Sequence, residues 1–525
     1  MVAWKNVGWI AIVVGLVACH EAAAREPIGR PAEVLAMVSL GPDHTLASLR
    51  DLADAIKPGL SAELTEPKLR AVMAKSIGAP SLDGLDPTAP TYIVVFDNGS
   101  DLRGAALVAK VGDASAVGKL AVHSVVRNGW AVLGAEPIVT TVAPYALASL
   151  PALAVPSTPT VTIYMPQLLR RYHTELEAAR AQVGQASANT GQMKAMMQSM
   201  VDGTFAMFAE IDQVVVTVEV TQNGVSIASP ASAVNAATPN ADAVSIDLAM
   251  VPAAGSRLAK FVAAQKPSDF GLLAKLPAMT ATGVIAGHLE AGPYHRAMLD
   301  GLAALYGQGG NQDLAEAIGA VMKSSTGEVA FAMEMGIGRP MAMSQLFALA
   351  DDKAASRAID HVLQLFATGR VVDMMSVSML MKSSPASDHG GISVRGYDVS
   401  YDYTAAPAAT RAAMEKVAPS GVAIPARVAT FDHVAVLTMG KSDPNVAIDA
   451  VRGTANRFAP SAFTTDFLTT ARARKDSLMM SFDVGAITGK PAGGEMIISA
   501  GFAGKTAHCR LTMPVVMLRT LATKP

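Results

Sequence analysis

Methionine is the residue type here that most invites a chemical reading, with 28 in a chain of 525 residues. Met193, Met196, Met197 and Met200 recur at helical spacing and fall on one helix face. Such a stripe makes a deformable face for an apolar ligand or partner helix, and equally an ordinary core face. Three Met-x-Met pairs follow: Met333/Met335, Met341/Met343 and Met379/Met381. Thioethers bind Cu(I). Strand alternation, however, puts each pair on one sheet face, as core packing requires, and no His or Cys cluster accompanies them, so the sequence predicts no metal site.

The ten histidines are scattered. Asp43-His44, Asp388-His389 and Asp432-His433 are Asp-His dipeptides, but no His-x-x-x-His or His-Glu-x-x-His spacing is present for zinc. No Gly-x-Ser-x-Gly elbow occurs. Gly440-Lys441-Ser442 and Gly504-Lys505-Thr506 look like phosphate-loop ends, yet Ala435 and Ser499 stand where the first glycine belongs. Gly504-Lys505 reads better as a hairpin turn. No Gly-x-Gly-x-x-Gly is framed for a dinucleotide, and no cofactor is predicted. A catalytic constellation assembled only in three dimensions stays open, with Asp432 and His433 as candidates.

Of the two cysteines, Cys509 sits in an alternating run. Ala507, Cys509, Leu511 and Met513 share one predicted strand face; Thr506, His508, Arg510 and Thr512 take the other. Cys509 reads as a buried small hydrophobe, and adjacent His508 points away from it.

Cys19 ends a different pattern. Lys5 precedes an apolar run from Val7 to Ala18, too short for a membrane span of roughly 20 residues. It fits the apolar core of a secretory signal. The run closes in "LVAC", Leu16 to Cys19, which resembles the lipobox of bacterial lipoproteins. The resemblance covers about 19 residues and implies a thioether-linked diacylglycerol on Cys19, cleavage before it, and usually an acyl chain such as palmitate on the new amino group. Two or more chains give stable attachment. Ala22 to Ala24 offers an alternative, ordinary secretory cleavage site. Under the lipoprotein reading, 1–18 is signal, 19–32 a polar tether, and the body faces the periplasm or cell exterior. His20, standing where inner-membrane retention often uses Asp, leans this toward the outer membrane.

Hydrophobic residues make up 51% of the chain and charged residues 16%, below the roughly 25% usual in soluble proteins. A large core is therefore attainable without a disulfide. Net charge is −2 with no Lys/Arg block, which points away from nucleic acid and anionic lipid patches.

The elements that must position any site follow from periodicity. An apolar strand, Glu33 to Pro42, precedes a helix with Leu46, Leu49, Ala53 and Ile56 on one face, and then a second with Leu69, Val72, Met73 and Ile77. A faint repeat begins at Thr282 to Pro293, with helices carrying Met298, Leu299, Leu302 and Tyr306, then Leu314, Ile318, Val321 and Met322. Each copy turns next to a hairpin, Thr91 to Asp113 and Glu328 to Asp352. A further hairpin turns at Asn128-Gly129, the strongest short-range hairpin signal. Its expected counterpart is the run from Val377 to Tyr403. Gln213 to Ser229 and Glu495 to Pro514 end the two copies, and a longer helical stretch spans about Pro166 to Phe208.

The predicted fold is α+β: two related units, 33–235 and 236–525, each an antiparallel sheet with helices packed on one face. This layout resembles uncharacterised bacterial envelope proteins built from duplicated units, a resemblance that carries no known activity. The sequence thus predicts an anchored envelope lipoprotein that binds or scaffolds a protein or lipid partner. A carrier for an apolar lipid or peptide is the second reading, and an enzyme the third.

Overall fold

The computed structural model describes residues 29–41, 45–99, 102–153, 159–186, 202–222, 225–226, 242–290, 312–336, 339–367, 372–374, 377–404, 421–488 and 494–522, with 406, 408, 411, 412, 415 and 419. It is α+β with antiparallel strand pairing throughout. Two compact units emerge: Met1–Leu176 with Phe208–Ala253 and Thr506–Pro525, and Glu177–Met207 with Ala254–Lys505.

In the first unit the strands run in the order His123–Arg127, Trp130–Gly134, Arg103–Lys110, Thr91–Asp97, Val34–Leu40, Thr160–Tyr164, Ile211–Gln222, Ala243–Pro252 and Thr506–Pro514. Asn128 (φ 51°) and Gly129 (φ 77°) form the hairpin turn their sequence predicts. Val216, Val218 and Val220 alternate into the interior as expected.

Helices cover both faces of this sheet, a correction to the one-face expectation. Tyr92, Val94, Ala106, Val108 and Val132 pack against the helix Glu136–Ser149. Their strand neighbours Leu107, Ala109, Ala131 and Leu133 pack against Ala74, Ile77 and Val117, at the helices Glu66–Ser76 and Ala114–Val117. Strand residues point alternately to opposite faces, so a continuously buried run such as Ala106–Ala109 must be covered twice. Ile138, Val139, Val142 and Tyr145 are each at most 2% exposed, and burial contributes on the order of 1.5–3 kcal/mol apiece. That exceeds the ~3 kcal/mol cost of Pro144 inside the same helix.

Two predicted helix faces are rotated. On Thr45–Ile56, Leu52, Ala53 and Ala55 are buried while Ile56 is exposed. On Glu66–Ser76, Val72 is 65% exposed and Ala74 is buried. Leu52 and Ala55 meet Val218, Val220, Val244 and Val515, brought together from across the chain.

The second unit orders its strands as Val372–Met374, Val377–His389, Ile392–Asp402, Ile424–Phe431, Val434–Gly440, Arg339–Leu349, Ser325–Gly336, Gly283–His288, Asp476–Asp483 and Glu495–Ala503. One face packs on Phe270, Leu273, Ile448, Phe467 and Leu468. The other meets Ala355 and Ile359 of the helix Asp352–Ala367 through Leu349 and Ala435, so here too both faces carry helix. Lys382, Pro385 and a register shift between Ser384 and Ser387 blunt the strand Val377–His389.

Candidate functional site

Among the described residues of the second unit, several titratable groups gather around His288. The strand Gly283–His288 delivers this residue directly opposite Glu328 on Ser325–Gly336. Two glycines allow the crowding. A Cβ on Gly287 would stand 2.3 Å from the Ser477 carbonyl oxygen, and one on Gly327 (φ +94°) 2.8 Å from the Leu289 carbonyl and 3.2 Å from the His288 ring.

His288 is 8% exposed. Its Nε2 lies 3.2 Å from Glu290 Oε1, and its Nδ1 3.6 Å from Glu328 Oε1. Lys266 Nζ reaches the same Glu290 oxygen at 2.6 Å. Ser268 Oγ donates to the Glu328 carboxylate at 3.1 Å and accepts from the Phe270 amide at 2.9 Å. The segment carrying Lys266 and Ser268 is stitched in place. The Ser268 amide donates to the Asp476 carbonyl at 3.0 Å, and Ser477 Oγ donates to the Lys266 carbonyl at 2.6 Å. Gln265 clamps Glu290 through both backbone groups, donating to its carbonyl at 3.2 Å and accepting from its amide at 3.0 Å.

The two carboxylates are tuned apart. Burial pushes Glu328 above its ordinary value, and the Ser268 hydrogen bond and His288 only partly oppose this. Lys266 holds Glu290 below its ordinary value, helped by the His288 hydrogen bond. The imidazole of His288 thus lies between a carboxyl shifted up and one shifted down.

A second polar centre locks one carboxylate. Glu495 accepts from the hydroxyls of Ser461, Thr464 and Ser481, and Ser461 also caps its helix through the Thr464 amide. In the first unit, Asp97 is 5% exposed and meets Arg171 Nε at 2.7 Å, Arg103 Nε at 3.2 Å and the Gly99 amide at 2.8 Å. Arg510 joins Glu219 and Asp247, on neighbouring strands.

The residues singled out by sequence fall elsewhere. Asp432 (φ 46°) and His433 (φ 60°) form a hairpin turn. Asp432 pairs with Arg452 at 3.7 Å and His433 with Asp352 at 3.4 Å, and the His433 side chain is 77% exposed. The two side chains thus turn to different partners. His389 pairs with Asp449 at 2.9 Å. Met343 lies in register between Met333 and Met439, and Met379 and Met381 pack on Tyr397 and Val399. Among the described residues, no group of three or more His, Cys, Asp or Glu could hold a metal ion.

Cys509, expected to be buried, is half-buried, opposite Leu248. Cys19, Asp43-His44, the stripe Met193, Met196, Met197 and Met200, and the Met298 to Tyr306 face lie outside the described residues.

Sequence reasoning missed the His288 centre. One half of it was readable: two residues apart in a run that reads as strand, His288 and Glu290 would share a face, although the strand itself ends at His288. Comparison with protein-family models, curated proteins and solved structures finds no match to this chain.

Proposed function

We propose that the chain is an envelope lipoprotein, anchored through Cys19, whose body binds or scaffolds a partner and carries out no catalysis of its own. The observation that carries this reading is Leu16 to Cys19 directly after a signal-length apolar run. Attachment through lipid asks for no spanning helix, and among the described residues none is long and apolar enough to cross a membrane. The charged clusters support a structural body: Asp97, Glu219 and Glu495 are each taken up by arginines or hydroxyls, with none left aimed at a reacting atom.

The body reads as a duplication. In support, Val34–Leu40 pairs with Thr91–Asp97 and Thr160–Tyr164, as Gly283–His288 pairs with Ser325–Gly336 and Asp476–Asp483. Moving outward, Arg103–Lys110, Trp130–Gly134 and His123–Arg127 correspond to Arg339–Leu349, Val434–Gly440 and Ile424–Phe431. This matches the Asn128-Gly129 turn to Asp432-His433, in place of the expected counterpart Val377 to Tyr403, and makes residues 352–402 an addition to the second copy.

A carrier for an apolar ligand is the second reading. It is favoured by Phe331, Met333, Met343, Met439, Met480 and Phe482, half-buried on the sheet face opposite the main core of the second unit.

The test is crosslinked pull-down from intact cells, beside fractionation of a Cys19→Ala variant. The anchored reading expects wild-type protein in membranes, the variant in the soluble fraction, and a partner captured only by the anchored form. Unchanged membrane partitioning of Cys19→Ala overturns the anchor, and lipid co-purifying at one per chain favours the carrier.

A further inference from the structure

We propose that His288 is a proton-operated clasp: its doubly protonated ring ties Glu328 to Glu290, and loss of a proton slackens the segment Lys266–Phe270 from the strand ends. The charged groups around the ring come from every neighbouring element. Glu290 lies two residues past His288, just beyond the end of its strand, Glu328 is on the paired strand, and Lys266 and Asp269 are on the adjoining segment. On the strand paired on the other side, Asp476 is taken up by Arg474 at 2.5 Å.

A neutral imidazole has one N–H and can donate to one carboxylate; a protonated ring donates at both nitrogens. The Glu290 contact, at 3.2 Å, is a hydrogen bond. At 3.6 Å the Glu328 contact is an ion-pair distance beyond hydrogen-bond reach, so its hold depends on the ring carrying charge. Without that charge, two carboxylates flank a neutral ring.

Glu328 is also what Ser268 binds, so its displacement reaches the segment directly. The segment ends at a core residue in an uncommon backbone conformation. Phe270 is held at φ +57°, a left-handed conformation costly for a side chain of its size, while buried to 1%. The ring thus controls a strained anchor of the main core through one hydroxyl.

The experiment is hydrogen-exchange mass spectrometry on the full chain between about pH 5 and pH 8, the interval in which imidazole titrates, corrected for intrinsic exchange rates. Peptides covering 265–276 should lose protection as pH rises, by roughly tenfold relative to peptides around Ser461 and Glu495, the scale of one partly buried ion pair. His288→Asn should abolish that pH dependence. A constant ratio in the wild-type protein overturns the proposal, as does an undiminished pH dependence in His288→Asn. The wild-type measurement decides the matter even if the variant folds poorly.

Discussion

Asp97 shows what a single carboxylate contributes when its surroundings disagree. Burial opposes its ionisation, yet the Arg171 hydrogen bond, the Gly99 amide and the charges of Arg171 and Arg103 together hold it below its ordinary value. A carboxyl lowered in the folded state stabilises the fold above its unfolded value, near 4, and that contribution disappears as pH falls through the folded value. Asp97→Asn should cost about 3 kcal/mol at neutral pH, as expected for breaking a buried pair, and much less in acid, where the wild type has lost the same charge. Urea denaturation of both proteins at the two pH values checks this; equal losses at both would refute it. Tyr92 is the opposite case, an uncharged group kept uncharged. Burial pushes its phenol up to about 12, and its hydroxyl has no hydrogen-bond partner among the described residues. Half of the His288 centre was legible at this scale, in the two-residue spacing of His288 and Glu290. Glu328 was not, because its position opposite His288 depends on strand register, and the residues between the two strands give no turn signal that fixes it.

At the scale of elements, alternation made the strands and hairpins readable, and the Asn128-Gly129 turn formed where its residues demanded positive φ. Which faces are covered was harder to read. The buried run Ala106–Ala109 was the available signal for two-sided cover, but a run of small residues says little about which helices supply it. Helix phase failed at Val72 and Ile56 for a related reason. Periodicity finds an apolar stripe, while the choice between adjacent stripes is made by distant partners such as Val515. Glu495 has the clearest consequence for an element. It joins the helix Ala462–Ala473 to the strand Asp476–Asp483 through Ser461, Thr464 and Ser481. Thr464 and Ser481 are at most 2% exposed, so removing the carboxylate strands their hydroxyls. Glu495→Ala should destabilise the protein by about 2–4 kcal/mol, and Glu495→Gln, which keeps one acceptor, by less. Thermal unfolding of the two variants tests this, and equal effects would point to lost packing instead of lost hydrogen bonds.

For the whole molecule, the class was legible and the routing of the chain was not. Nothing local in Thr506–Pro514 announces that it joins Ala243–Pro252 in the first unit. That pairing spans every strand of the second unit in sequence. Thr512 and Ser245 share a buried hydrogen bond at 3.0 Å across it, and Arg510 supplies the cation for Glu219 and Asp247. A chain truncated before Thr506 should therefore leave Ala243–Pro252 with an open edge and two half-buried carboxylates without their arginine. Limited proteolysis should then cut in 208–253 before it cuts in 254–505, and the reverse order would contradict the assignment.

The same pairing sets a timetable. Ribosomes and export channels both deliver a polypeptide progressively, and the first unit holds its earliest and its latest strands. Its sheet can close only after the intervening segment has emerged, whereas residues 254–505 can begin to fold as they appear. Until closure, the Ala243–Pro252 edge is open to any passing strand. Maturation of the first unit is thus a matter of waiting, and a holding chaperone would have most to protect during that interval.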